Sequence, residues 1–544
     1  MSDTHQLLAA VAIVAIVLLL NKAQESRRDS RHGAFWTAIP QAGVSSGRLL
    51  PWVHASLRSL YSSAETATAG YEMFCKKQDK PFAMAHAAAG AIIVLPPSRL
   101  PAISLSDDKI LALAAQNDTL QPRWTSGGRA HLYQHPVLHF DVVRKHMMRD
   151  VSAFAAATDE ELRMALRGCW GPRSPNEDWR TVDVWDTCSR IISRAANRCF
   201  VGLPLCRDET LLEQSRSYAN AVYIGAGVIT ALPGFMRPVV GPLVALAAKR
   251  YLTGSMKVLV PFVEERLRLW HDGGGKDVPN DALQWMIERC SKAGPGEMAP
   301  ECIAQRLLIL NLVSIYTTTY AFSNCILDLY SSPERDEFVA GLRAECTQVA
   351  GESANSQGGF PTADAVKRLY RVDSLVRESL RVSAFGIVAL PRIVAPGEGL
   401  DLGFDDLPSV PAGTRLGIPL RPIHMDTANY HDPMRFDAFR FSREFENHEG
   451  IIRQATEQKL SVDISETFLT YGFGKHACPG RWFASQIIEQ AVAHMVQEYD
   501  VECVGKPEKK TLLNMVMPPM NNKVRIRLRD RSCYDRMNVG SFDL

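Results

Sequence analysis

The chain has 544 residues, 46% hydrophobic and 22% charged, which is enough apolar surface for a large core and too much for a disordered chain. Its 61 basic and 59 acidic side chains leave a formal net charge of +2, so electrostatics gives no reason to expect a nucleic-acid partner. Twelve cysteines are scattered without a C-x-x-C pair. That excludes the common zinc and dithiol motifs, and a chain of this length needs no disulfide staples.

An uncharged apolar run spans Leu7 to Leu20, followed by Lys22, Arg27, Arg28 and Arg31. As a helix it would cover about 20 Å, less than the ~30 Å hydrocarbon core of a bilayer. The basic cluster follows the run, which favours an uncleaved signal anchor over a cleaved signal peptide. Positive charge stays cytoplasmic. The expectation is a single-pass endoplasmic reticulum protein: an anchor over residues 1–25, a polar neck over 26–47 and one large cytosolic domain over 48–544. The sequon Asn117-Asp118-Thr119 is then an ordinary polar turn.

Apolar periodicity predicts helices over Asp141–Met148, Asp159–Arg167, Val182–Asn197, Leu211–Ile224, Leu243–Trp270, Pro300–Tyr330, Asp336–Val349, Ala363–Ser383 and Arg481–Tyr499. Strand patterns are few: Ala91–Leu95, Ile387–Val394 and the alternating Lys523–Leu528. The fold class expected is mainly α, a large helical domain with a small β-rich subdomain. His135 and His139 are four apart, a hint of a metal face. Pro136 between them and the lack of nearby carboxylates or thiols favour a solvated role, or one beside the carboxylates of a ligand, instead.

Leu307–Leu329 is apolar on nearly every face, so it crosses either a membrane or a protein core. Asn311, Ser314, Tyr316, Thr317, Thr318, Thr319, Ser323 and Asn324 argue for the core. Buried polar groups there need partners or a wet cavity. The sharpest local signal is Tyr471–Ala484, where Gly472, Gly474 and Gly480 surround Cys478. Glycine permits positive φ and close backbone approach, Pro479 stiffens the turn, and a helix starting near Arg481 favours an anionic thiolate. The alternative is a glycine-rich turn with a buried cysteine.

This segment resembles the haem-binding loop of the cytochrome P-450 family, F-x-x-G-x-x-x-C-x-G, with Gly474, Cys478 and Gly480 in place and Tyr471 where the family has Phe. Glu378-Ser379-Leu380-Arg381 matches the family's E-x-x-R. Pro433-Met434-Arg435-Phe436 resembles its P-x-R-F segment. The resemblance implies a buried structural triad of Glu378, Arg381 and Arg435 beneath the cysteine loop. On the central helix, Val313–Thr318 aligns with A/G-G-x-D/E-T-T. That puts Thr317 on the threonine that helps oxygen activation and holds a relay water, and Tyr316 on the acid position. Tyr316 cannot be a carboxylate, so another proton route is expected. Thr318 and Thr319 are read as bonding back to carbonyls one turn earlier.

The same resemblance implies Cys478 as axial ligand of the iron of one haem b. Its propionates would be met by His476, by Arg392, and by one of Arg144, Lys145, His146 or Arg149. It also implies electrons from NADPH through a separate reductase, and O2 as oxidant. Asn197–Arg207 and Ile39–Gly43 look like fungal members that tailor secondary metabolites, with an apolar terpenoid, steroid-like or polyketide-derived substrate. Two alternatives stand beside monooxygenation. One is desaturation, rearrangement or ring formation without net hydroxylation; the other is a non-catalytic haem- or lipid-binding membrane protein.

Overall fold

The computed structural model describes residues 33–45, 50–87, 90–148, 151–171, 178–232, 234, 236–272, 278–352, 359–446, 458–512 and 514–529. The apolar run Leu7–Leu20, the basic cluster after it and Arg149 lie outside these residues. No helix among the described residues is long and apolar enough to cross a membrane.

The longer helices, in chain order, are α1 (Ala155–Trp170), α2 (Val184–Phe200), α3 (Glu209–Ala231), α4 (Leu246–Asp272), α5 (Ala282–Ala293), α6 (Pro300–Ser331), α7 (Arg335–Glu352), α8 (Tyr370–Val382) and α9 (Arg481–Glu498). Several starts are written in the sequence. Asp183, Asp208 and Asp281 accept from the amides of Asp186, Leu211 and Gln284 at 2.8, 2.7 and 2.9 Å, capping α2, α3 and α5. Pro300 opens α6, where its missing N–H costs nothing.

The strands are β1 (Gln41–Ala42), β2 (Phe82–His86), β3 (Gly90–Val94), β4 (Ile110–Leu111), β5 (Arg180–Asp183), β6 (Ala389–Val394), β7 (Arg415–Ile418), β8 (Tyr499–Cys503), β9 (Thr511–Leu512), β10 (Met515–Val516) and β11 (Lys523–Leu528). A six-stranded sheet runs β1-β2-β3-β7-β6-β4, and β5-β11-β8 form a separate sheet. β11 has the predicted bounds, with Val524 and Ile526 buried.

Three expectations are corrected. Val182–Asn197 opens as a strand, because β5 pairs with β11, and turns helical at Val184. Ala363–Ser383 splits at Arg368–Leu369 into a short turn and α8. The cause is Glu345 of α7, whose carboxylate accepts from Arg371 N and Val372 N at 2.8 and 3.1 Å and so founds a new helix start. Asp141–Met148 becomes a short α-turn followed by a π-turn over Val143–Met147.

α6 threads the helical core and packs against α2, α3, α4, α8 and α9. Tyr316 and Tyr320 depart from that core and join the one under the large sheet. The site lies where these two cores meet.

Candidate functional site

Every residue of α6 from Ile303 to Tyr330 is buried except Val313, Ser314 and Thr317. These three share one face, one turn apart. They form the open face of an otherwise buried stretch. Thr317 Oγ1 donates back to Val313 O at 2.8 Å, the pattern expected for its neighbours instead. Thr319 Oγ1 is buried without a partner. Asn311, by contrast, is satisfied through Asn197 at 2.8 Å.

The cysteine loop follows the expected chemistry closely. Gly472 and Gly474 take φ of +90° and +61°, and a Cβ on Gly474 would press on Ser104. Gly480 differs: its φ is −88°, and it caps α9. A Cβ there would meet nothing nearer than Val143 at 4.0 Å, so its smallness leaves room for a ligand, not for strain. Cys478 N donates to Tyr471 O at 2.7 Å, and Arg481 Nη1 donates to Cys478 O at 2.8 Å. Burial pushes the Cys478 thiol up, while the amides of Gly480 and Arg481 favour the thiolate. A bound cation would complete that balance. The other described cysteines are free thiols. Tyr471 is half-buried, and burial beside Cys478 keeps its phenol protonated.

Beneath the loop, Glu378 and Arg381 are fully buried and paired in a fork, with Arg381 Nε and Nη2 donating at 2.8 Å each. Arg435 does not join them. It is 56% exposed and meets Glu334 at 2.9 Å. Arg440 takes the place, with Nε 3.0 Å from both Glu378 oxygens, while its other nitrogens bond His431 O, Asp432 O and Arg435 O. The turn at Asp432, φ +44°, faces Arg435 outward. The second Arg-Phe pair, five residues later, was the signal to read.

His424 is a supporting residue that the sequence pattern missed. Its Nε2 accepts from Leu469 N at 3.1 Å, so Nδ1 carries the proton, 3.2 Å from Arg381 O. Burial lowers its pKa to about 3. The ring stacks on Phe468 at 5.5 Å. It thus ties the buried triad to the strand-like lead into the cysteine loop.

A cationic rim lies beside the loop. Between Ala389 and Arg392 the β6–β7 register slips, and Leu390 takes φ +56° directly before Pro391. That is a costly conformation for a branched residue in that position. The bulge aims Arg392 inward, 5% exposed, with Nε on Ile103 O at 2.8 Å and Nη1 on Pro391 O at 2.9 Å. No carboxylate pairs with it among the described residues, and burial lowers its pKa to about 10. His476 Nε2 is buried without a partner, its pKa lowered by burial and then by Arg392, Lys475 and Arg144. Of the earlier candidates from that helix, Arg144 is one whose charge acts on His476. Asp107, 3.9 Å from Lys475, is the carboxylate that acts on Arg392 and His476, so cations outnumber anions on this rim.

His135 is 70% exposed, 3.7 Å from Asp107. His139, expected to be solvated or propionate-facing, is in the core, packed edge-on to Phe140 at 4.9 Å, with its pKa lowered to about 3 by burial. No cluster of three or more metal-ligating side chains occurs among the described residues. Tyr316, at the acid position, is 5% exposed. It is clamped between Tyr223, stacked at 3.9 Å, and Trp185, edge-on at 5.1 Å.

The donors present suit a flat iron porphyrin: one thiol with amides aimed at it, a glycine opening, an orphaned imidazole nitrogen and an unpaired buried guanidinium. This is a haem-thiolate type of site. A cytochrome P-450 family profile matches residues 182–526, and the chain belongs to that family. It is similar to cytochrome P-450 monooxygenase gloP of Glarea lozoyensis, 34% identical across 92% of this chain and 93% of that protein. It also resembles cytochrome P-450 monooxygenase htyF of Aspergillus rugulosus, 34% identical across 96% of this chain and 76% of that one. A third relative, okaG of Penicillium ochrochloron, is 28% identical across 88% and 91%. The chain is a haem-dependent monooxygenase that takes electrons from a separate reductase, as is usual in the family.

Proposed function

We propose that the enzyme inserts one oxygen atom of O2 into an apolar terpenoid, steroid-like or polyketide-derived molecule of a fungal secondary-metabolite route. The electrons come from NADPH through a separate flavoprotein reductase. The observation that carries this reading is the half-open Cys478 thiol, with the Gly480 and Arg481 amides acting on it. When bound, the haem supplies oxygen activation, and a thiolate ligand promotes O–O cleavage.

The protein's own part is to hold and to exclude. Cys478 would supply the sulfur that holds the iron, and Arg392, His476 and Arg144 would neutralise the propionates. The Glu378–Arg381–Arg440 network and His424 keep the loop in shape. Thr317, exposed on the open face of α6, can turn its hydroxyl from Val313 O towards a water and hold a proton there. Tyr316 does not serve as an acid; it is stacked, and burial keeps its phenol protonated. The apolar run Leu7–Leu20 supports an anchor in the endoplasmic reticulum membrane with the catalytic domain cytosolic.

A second reading, desaturation or ring formation without net hydroxylation, is favoured by one observation. The open face of α6 carries hydroxyls and no carboxylate. Microsomes holding the enzyme and a reductase, fed extracts of the producing organism, separate the two. A product heavier by one oxygen supports monooxygenation. NADPH-dependent loss of two hydrogens without added oxygen supports the second reading.

A further inference from the structure

Asp373 in the first turn of α8 and Glu489 in the middle of α9 are both buried, and their carboxyl groups hydrogen bond each other. Two carboxylates cannot make that bond, because both are acceptors only. One proton therefore lies between them. Burial, and then the charge of Asp373, push the Glu489 carboxyl well up, so Glu489 is the donor and the pair carries a single negative charge at neutral pH.

The pair grips one short segment. Ser461 N donates to both Asp373 oxygens at 3.0 Å. Ser461 Oγ lies 2.6 Å from Ser485 Oγ, and Ser485 Oγ donates to Glu489. Arg377, one turn beyond Asp373, supplies the facing positive charge and donates to Leu460 O and Asp463 O on either side of Ser461. The Asp463 carboxylate accepts from Leu460 N at 2.8 Å, and from the cysteine loop the Tyr471 phenol is the titratable group that meets the pair. Next to Ser461, Val462 O accepts from Arg481 Nε at 3.1 Å, and Arg481 Nη1 donates to Cys478 O at 2.8 Å. Hydrogen bonds and one peptide link thus run from the acid pair to the backbone of the cysteine.

We infer that Asp373 and Glu489, sharing one proton, are positioning residues that hold Ser461 so that Arg481 clamps the Cys478 carbonyl and keeps the sulfur in place for the iron. The inference rests on the proposal that Cys478 ligates haem iron. A neutral pair would leave the buried Arg377 without a counter-charge, and a doubly charged pair would repel itself and lose its own hydrogen bond. The state with one proton satisfies Ser461, Ser485 and Arg377 together.

The test follows, over time, the thiolate band in the carbon monoxide difference spectrum of the haem-loaded full chain, at neutral pH and in steps to about pH 10. Glu489→Leu and Asp373→Asn are expected to lose the band about tenfold faster at neutral pH. Glu489→Gln keeps a donor towards Asp373 and cannot ionise. It should match the unsubstituted protein within about twofold at neutral pH and outlast it at alkaline pH. An infrared difference between the unsubstituted protein and Glu489→Gln should carry the C=O stretch of a protonated carboxyl at neutral pH. Rapid loss of the thiolate band from Glu489→Gln at neutral pH, or no gain at alkaline pH, overturns the positioning role. Absence of the infrared band overturns the shared proton. These two comparisons decide the matter even where the Leu and Asn variants do not fold. An unsubstituted protein without the thiolate band overturns the haem reading and the positioning role with it, whereas the infrared result does not depend on that reading.

Discussion

Glu378 holds two arginines at once, Arg381 at 2.8 Å and Arg440 at 3.0 Å. The carboxylate is fully buried, so removing Arg440 strips it of hydrogen bonds that water cannot replace, even though Arg381 still pairs its charge. Arg440→Ala should destabilise the fold by about 3 kcal/mol and weaken haem retention, whereas Arg435→Ala should change stability by less than about 0.5 kcal/mol. Denaturant unfolding of both variants decides this. Equal effects would put the third member of the network back in doubt.

His86, His139 and His424 predict an acid limit to stability. Burial lowers their pKa values from 6.5 to about 4, 3 and 3. Between those values and 6.5 the unfolded chain takes up protons that the folded chain refuses. Their contribution is complete above 6.5 and erodes as pH falls, down to about 4 for His86 and about 3 for the other two, each by about 1.4 kcal/mol per pH unit. Urea midpoints measured at falling pH should track this, and His424→Gln should flatten the slope. A slope independent of that substitution would mean His424 is protonated in the fold.

Arg392→Met removes the buried cation of the rim while keeping its length. Haem should then dissociate about tenfold more readily, the scale of one lost charge-assisted hydrogen bond. Transfer of haem to a scavenger protein measures the rate. Unaltered retention would exclude Arg392 as a propionate partner.

Much of this site was legible because its signals are local. Gly472 and Gly474 announce left-handed backbone, Cys478 stands alone among them, and Glu378–Arg381 need only helical spacing. What was hidden depends on distant contacts. β2 and β7 are short and carry little strand composition, and they exist because β3 lies between them. The break before α8 is imposed by Glu345 from another helix. Arg435 and Arg440 each precede a Phe, and only the turn at Asp432 decides which side chain points inward. His424 looks like any histidine until Leu469 and Arg381 are brought against its two nitrogens.

Thr317→Ala should keep the cysteine-ligated spectrum while diverting electrons from product to hydrogen peroxide severalfold, since the open face of α6 loses its best-placed hydroxyl. Peroxide formed per NADPH consumed is the measure. Tight coupling in that variant would exclude the relay role and point to Ser314.

The most direct test is the carbon monoxide difference spectrum of the reduced, haem-loaded protein beside its Cys478→Ala variant. Unsubstituted protein should give the long-wavelength band of a thiolate-ligated haem, and the variant should lose both the band and the oxidation of any substrate. A band at the position typical of histidine ligation, or one that survives Cys478→Ala, would contradict the assignment.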